Sequence, residues 1–310
     1  MKVVIVGAGL ASAIAVYLLQ REYSDINITE YSDVDITVYE KNEIGGLLRN
    51  DTVNGITVQL YGPHVFHTTD NAVRDLMLEI FAKYNIHWET YYDQVLANVD
   101  NKLYSLPYSK LTGLSQSEYY HKIIEPYTLK QWGYINEQAI NRLHQLNYYT
   151  MHYHANASFS CIFDHNTFFN KTFAKCHIIY KELSESDLEA MDADIKIYTG
   201  YRENCQFKYT QFLHELTSTD QGVFTVNYPD KSYPYTRVMD FTYLTNNPIV
   251  TSMHPICKEI PSDNGVVCYP LGTPCKEYNI TYLGRFGKHS YVDMDTCVKN
   301  VLEWFNNNIK

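Results

Sequence analysis

Three observations predict an α/β fold whose first domain is interrupted and later resumed. Lys2 to Val6 is a short apolar run closed by Gly7-Ala8-Gly9, and small and apolar residues at helical spacing follow from Leu10 to Leu19. That is the pattern of strand, tight turn and helix. Helical spacing then dominates Asn71 to Tyr84, Ser117 to Leu129 and Glu137 to Leu146, whereas Asp194 to Thr245 turns to short runs rich in Val, Tyr, Phe and Thr, the mark of strands. Last, Thr281 to Leu283 reads as a buried strand before a glycine and a helix, Thr296 to Asn306, so the end of the chain is expected to return to the opening domain.

The elements can be justified in order. Glycines between the first strand and helix let the backbone approach a pyrophosphate, whose charge then sits at a helix N-terminus. A second apolar run, Asp35 to Tyr39, ends in Glu40, where a Rossmann-like fold places the acid that binds a ribose hydroxyl. Ser12 stands where the motif has its third glycine, so the motif alone fits a plain buried βαβ unit equally well. Gly45-Gly46 shifts the balance, because paired glycines there recur in FAD-binding rather than NAD-binding folds. Ile56 to Leu60 is a strand leading into Tyr61-Gly-Pro-His-Val-Phe-His-Thr68, and Val73, Leu76, Met77, Ile80 and Phe81 fall on one face of the helix over 71–84. These readings divide the chain into a discontinuous FAD-binding domain (1-70, 190-205 and 265-310), a helical lobe (71-147) and a shortened β-sheet substrate lobe (148-189 and 206-264).

Composition limits the function. The 310 residues, 45% hydrophobic, can bury a sizeable core, and a net charge of -10 argues against a nucleic-acid binder. An anionic ligand must therefore be met by local arginines rather than by a global field. Seven cysteines, odd in number and without a C-x-x-C pair, suggest neither a disulfide framework nor a zinc site. A reducing cytoplasm is expected, with no metal. No run of eighteen apolar residues and no cleavable leader is visible, so no membrane partner is expected.

Three uncommon strings carry the rest: the one from Tyr61 to Thr68, Tyr127-Thr-Leu-Lys-Gln-Trp-Gly133, and Gly284-Arg-Phe-Gly-Lys-His-Ser-Tyr-Val-Asp-Met-Asp295. Each sets aromatic or imidazole groups beside a glycine or a charge, a composition suited to holding a planar ring and an anion. With the opening Gly-Ala-Gly, the Gly-Gly pair and Pro234-Tyr-Thr-Arg237, their order and spacing resemble the UDP-galactopyranose mutase family. The likeness runs from Met1 to the C-terminus and is weak only from about Tyr148 to Ile195.

The resemblance implies FAD, active when reduced, and interconversion of UDP-galactopyranose and UDP-galactofuranose through attack of flavin N5 on the anomeric carbon. It implies Gly7, Gly9, Ser12, Glu40, Gly45, Gly46, Asp293, Met294 and Asp295 as cofactor-binding residues. His64 and Arg285 would touch the flavin and, with Arg237, form the catalytic group. Tyr127, Trp132, Arg142, Arg202, Tyr269 and Tyr291 would bind a UDP-sugar, and a homodimer is compatible with it. Taken singly, His64 could be a satisfied histidine at a strand end and Arg142 a solvated surface arginine. The chain departs from the family in being several dozen residues shorter, with the loss between Trp132 and Arg202. Ile123 and Ile124 stand where the family has paired phenylalanines that stack on uracil. Another nucleotide sugar, such as UDP-arabinopyranose, or another base is therefore an alternative. So are a flavin oxidoreductase and a weakly active nucleotide-sugar binder.

Overall fold

The computed structural model describes residues 1–24, 34–92, 94–106, 113–135, 157–274 and 276–310. Strand β1 (Lys2–Val6) leads into helix α1 (Leu10–Ser24) and β2 (Asp35–Glu40). From Ala11 to Leu19 every α1 residue is at most 4% exposed. A helix apolar around its circumference must be covered on all sides, and the strands, later helices and their aromatic side chains provide that cover. The hairpin β3 (Asn50–Val53) and β4 (Ile56–Gln59) follows, then β5 (Phe66–Thr68) and α2 (Asn71–Tyr84). Helix α2 begins where Asp70 accepts the N–H groups of Ala72 and Val73, and it buries the five apolar residues that its spacing puts on one face,.

The middle of the chain is less helical than its spacing suggests. Strands β6 (Trp88–Thr90), β7 (Val95–Val99) and β8 (Lys102–Leu106) precede helix α3 (Gln116–Tyr119), which passes through a π-turn (Tyr120–Ile124) into α4 (Glu125–Trp132). Val95, Ala97 and Val99 point inward in strict alternation, a strand pattern too short to stand out against its helical neighbours. Expected helix Glu137 to Leu146 lies outside the described residues. Strand β9 (Phe159–Phe163) pairs with β5 and β6 in a small antiparallel sheet, and α5 (His165–Thr172) covers α1.

Strand β10 (His177–Tyr180), α6 (Glu185–Ala190) and β11 (Ile195–Tyr198) return to the first domain. The sheet lobe is then built from β12 (Gln206–Thr217), β13 (Thr225–Asn227), β14 (Arg237–Asp240), β15 (His254–Ser262) and β16 (Val266–Leu271), before β17 (Thr281–Tyr282), α7 (Gly284–Gly287) and α8 (Met294–Asn308) close the chain. The parallel sheet has the order β10-β2-β1-β11-β17, a Rossmann-like arrangement inside a mixed α/β chain. The larger sheet runs β16-β12-β15-β14-β13-β7-β8 and is antiparallel except for the β13 and β7 pair. Two expected boundaries therefore move. His177–Tyr180 belongs to the parallel sheet rather than to the substrate lobe, and Val95–Leu106 joins the large sheet rather than a helical lobe. No helix among the described residues is long and apolar enough to cross a membrane.

A buried ion pair fastens the returning segments. Arg202 and Glu185, each 2% exposed in the side chain, meet at 2.8 Å. Glu185 also accepts from the Tyr282 hydroxyl at 2.7 Å and the Glu203 N–H at 2.8 Å, while the Arg202 guanidinium stacks 3.8 Å from the centre of the Tyr282 ring. Removing one partner leaves a buried charge without compensation. Arg202→Met should cost about 3 to 5 kcal/mol, read as a lower urea midpoint; an unchanged midpoint would show that the pair fastens nothing.

Candidate functional site

A cavity of about 510 Å³ opens along the C-terminal edge of β1, between the Gly7 loop, the Gly45-Gly46 turn and the start of α8. Gly7 has φ +92°, and a Cβ there would lie 2.4 Å from Thr199 Oγ1, so only glycine fits. Gly9 is different: nothing lies within 4 Å of the Cβ it lacks, and its open side is cavity. The Gly45 N–H donates to the Ala8 carbonyl at 2.9 Å, and Gly46 packs against the Gly9 Cα. Glu40 is 9% exposed, its Oε2 accepting the Ala8 N–H and its Oε1 the Asn42 N–H, each at 2.8 Å. It lines the cavity while holding the glycine loop in place.

Ser12 lies outside the cavity lining and packs helix on strand, as a small residue at the third glycine position can. It is fully buried behind the loop, its Oγ 3.0 Å from Thr199 Oγ1, and the Thr199 hydroxyl donates to the Val6 carbonyl at 2.8 Å. The residue therefore joins α1 to β11 and is not in the cavity wall. Asp293 and Met294 do line the cavity, but Asp295 does not; its carboxylate accepts the N–H of Thr296 at 2.7 Å. A side chain one step further along a helical turn faces away from its neighbours.

At the far end of the cavity stand His64 and Arg285. The Gly62-Pro63 turn that carries His64 is braced by Gln59, whose side chain accepts the His64 N–H at 2.7 Å and donates to its carbonyl at 3.1 Å. Burial first, then coupling to His165 and the positive charges of Arg285 and Arg237, hold the imidazole well below the usual histidine range. It is neutral, and its Nδ1 is buried without a partner among the described residues. Arg285 donates to the carbonyls of Val292 and Cys268 and stacks 4.5 Å from the centre of the Tyr291 ring. Among the described residues no carboxylate pairs with it.

From Tyr291 an aromatic wall continues. Tyr269 stacks on Tyr291 with centroids 5.5 Å apart, and the Trp132 ring meets Tyr269 at 4.6 Å and Tyr291 at 5.8 Å. Arg237 pairs with Glu259 at 2.5 Å, and Gln131 donates to both Glu259 and the Tyr269 hydroxyl. Tyr127 lies within electrostatic reach of Arg237 and Tyr269. Burial, followed by the nearby Asp293 charge, pushes the Tyr291 phenol up to about 12, so it stays a neutral donor at ordinary pH.

The structure thus brings His64, Tyr127, Trp132, Arg237, Tyr269, Arg285 and Tyr291 near one another at the inner end of that cavity. Arg202 is not among them: its guanidinium is consumed by Glu185, Glu277 and backbone carbonyls, which corrects its expected place beside a substrate. Arg142 lies outside the described residues. Ile123 and Ile124 pack into a core with Val95, Ala97, Val99 and Tyr119.

Sequence reasoning missed Arg49, Gln131 and Glu259. Arg49 lines the cavity, pairs with Glu43 and donates to the Tyr61 hydroxyl at 3.1 Å; its position three residues beyond the glycine pair was an available signal. Glu259 shares the inward parity of Cys257 on β15, and a charge on an inward position was the sign to heed. In the sheet lobe, Asp220, Asp240 and His254 bring possible metal ligands within 4.8 Å of one another, but Asp240 already accepts from Thr242 and pairs with His254.

The family model for an NAD(P)-binding Rossmann-like domain matches residues 5–80. The chain is 23% identical to the dTDP-fucopyranose mutase of Escherichia coli, covering 97% of each, and 21% identical to the Probable UDP-galactopyranose mutase of Klebsiella pneumoniae, covering 97% of this chain and 93% of that one. The first alignment runs over 383 positions against a chain of 310 residues, so several dozen have no counterpart here. A crystal structure of reduced UDP-galactopyranose mutase superposes with a TM-score of 0.67 at 12% identity, covering 100% of this chain and 94% of that one. An oxidoreductase from Methanosarcina mazei gives 0.62 at 11% identity, covering 99% and 100%. Along nearly its whole length the chain is thus similar in sequence to two sugar-nucleotide mutases, and it shares the fold of a UDP-galactopyranose mutase.

Proposed function

We propose that the protein is a flavin-dependent mutase that interconverts the pyranose and furanose forms of a nucleotide sugar, with UDP-galactopyranose and UDP-galactofuranose as its first pair. The observation that carries this reading is the junction at Arg285. There a cavity with a dinucleotide-type glycine loop meets a wall of arginine, tyrosine and tryptophan side chains, donors suited to a diphosphate beside a sugar.

The residues fit FAD. Gly9 leaves open the space a Cβ would fill, the Gly45-Gly46 turn closes over it, and Glu40 faces the cavity that a ribose would enter. His64, with an unpartnered buried Nδ1, stands where the ring system would end. Reduced FAD bound there would supply a nucleophilic nitrogen for the anomeric carbon, so no side chain need be the nucleophile. The chain's own groups bind and orient. Arg237 and Arg285 stabilise charge on the diphosphate as its bond to the sugar breaks and re-forms. Trp132 and the tyrosines confine the diphosphate beside the sugar, which keeps its return effectively intramolecular.

A second reading concerns the base. The resemblance to a dTDP-fucopyranose mutase, together with Ile123 and Ile124 lying in a core instead of offering aromatic stacking, favours a thymine nucleotide sugar as the competing substrate. The deciding experiment incubates dithionite-reduced protein with UDP-galactopyranose, UDP-arabinopyranose and dTDP-fucopyranose and follows furanose products by chromatography. Product should form only with reduced flavin and without stoichiometric use of reductant. One reductant consumed per product would favour an oxidoreductase, and no product from any sugar would leave only a binder.

Gly9→Ala separates the cofactor from the fold. Because its Cβ meets nothing in the protein and its φ suits alanine, the apoprotein should melt within a few degrees of wild type. Its FAD content, read from flavin absorbance, should nevertheless fall; full retention of FAD would place the cofactor elsewhere.

Arg237→Ala and Arg285→Ala should each remove a charge-assisted contact worth about 1.5 to 3 kcal/mol. If it is made chiefly in the transition state, turnover drops by about tenfold to a hundredfold. Steady-state kinetics equal to wild type in both variants would show that the diphosphate lies elsewhere.

A further inference from the structure

Glu259 is 1% exposed, behind the side chains of Arg237 and Gln131. A carboxylate so buried needs donors on its oxygens, and two of its donors come from the cleft. Oε2 accepts from Arg237 Nε across the directly opposed β14 and β15 positions. Oε1 accepts from Gln131 Nε2 at 3.2 Å, and the same nitrogen donates to the Tyr269 hydroxyl at 2.9 Å. Oε2 also backs the turn that carries His64, lying 3.5 Å from where a Gly62 Cβ would be.

The direction of each hydrogen bond follows from one fact: a carboxylate only accepts. Gln131 must therefore turn its NH2 toward Glu259. That NH2 reaches Tyr269 as a donor, so the phenol oxygen accepts and its own proton is left for another acceptor. On the other branch, Arg237 commits Nε to Glu259, and its two terminal nitrogens find no hydrogen-bond partner among the described residues. Arg237 keeps 26% of its side chain exposed beside a carboxylate that has almost none. Both branches end in unspent donors.

The geometry points to Glu259 as a positioning residue for the diphosphate. Resting on the nucleotide-sugar reading above, it orients Arg237 and Tyr269 so that their free N–H and O–H groups donate to the ligand, which Glu259 itself does not touch. Glutamine at this position would keep the shape but bring a donor of its own. It could donate to Gln131 Oε1, the Gln131 amide would turn over, and the Tyr269 hydroxyl would then donate to that amide oxygen instead of to the ligand.

The test titrates inorganic pyrophosphate and UDP into the protein as purified, with FAD supplied, following flavin fluorescence and arginine-selective nitrogen-15 NMR. The variants are Glu259→Gln, Glu259→Asp, Tyr269→Phe and the Tyr269→Phe, Glu259→Gln pair. Glu259→Gln should bind both ligands about tenfold to a hundredfold more weakly with unchanged flavin content, and Glu259→Asp should recover part of the loss. In the Tyr269→Phe background the same change should cost less, because one branch is already gone. Without any ligand, the Arg237 Nε–H resonance should be sharp in wild type and broadened by exchange in Glu259→Gln.

Wild-type affinity in Glu259→Gln, or a fully additive loss in the double variant, would overturn the proposal. If Glu259→Gln does not fold, Glu259→Asp decides: undiminished pyrophosphate binding with a shifted Nε–H resonance would overturn it equally. If wild type binds pyrophosphate at Arg237 but no nucleotide sugar, the proposed function falls and the role of Glu259 stands.

Discussion

The structure depends on how closely β1 and its glycine loop approach β11. Gly7 leaves no room for a side chain against Thr199, and Thr199 is held by the Val6 carbonyl and by Ser12. The same contact draws in the end of the chain: a Cβ at Gly284 would lie 3.0 Å from the Ala11 Cβ, and one at Gly287 only 2.3 Å from the Tyr198 carbonyl. Main chain packed this tightly admits no drift in the relative positions of β1, β11 and α7. Arg285, between those two glycines, is thereby fixed at the inner end of the cavity. Residues almost 280 positions apart share one site because three glycines and a threonine permit no other spacing.

Arg237 and Glu259 do for the sheet lobe what Thr199 does for the parallel sheet. They are opposed on neighbouring antiparallel strands, so their side chains share a face,. Gln131 brings α4 to that face, and the Trp132 ring follows it onto Tyr269 and Tyr291. This group is therefore assembled from five separate stretches of sequence by a few directional contacts. A rearrangement in any of them would be felt at the others, which is the expected behaviour of a buried polar network.

Much of this was legible before any coordinates. The strand, turn and helix at the start, the five buried positions of α2 and the final helix follow from spacing alone, since one apolar face must be buried. The strings from Tyr61, Tyr127 and Gly284 marked out stretches whose side chains, among them His64, Trp132, Arg285 and Tyr291, lie near one another in the fold. What failed was local direction. Ser12, Arg202 and Asp295 sit within a residue or two of cavity groups, yet each faces the other way, because a turn or helix start redirects successive side chains by large angles. Strand β7 was misassigned for a related reason: five residues of alternation carry little weight beside long helical runs, whereas β10 was put in the wrong sheet because so short a strand says nothing of its partner. Glu259 was overlooked because, although a charge on an inward strand position was a local sign, its partners lie 22 and 128 positions away.

Charge accounting at the cleft constrains how any diphosphate could be held. The chain as a whole is anionic, with a net charge of -10, so long-range steering works against an anion. Within the cleft, the Arg237 charge is balanced by Glu259, and His64 is kept neutral by burial and its cationic neighbours. That leaves Arg285 as the cation without a carboxylate partner among the described residues. A doubly charged ligand would thus meet one uncompensated charge and the oriented donors of Arg237 and Tyr269, while the Tyr291 hydroxyl is engaged by Asp293. Donors fixed in advance hold charge without reorganising as it moves. Such donors would stabilise a diphosphate more as negative charge builds up on it, which is a preference for the arrangement in which a bond to it is breaking.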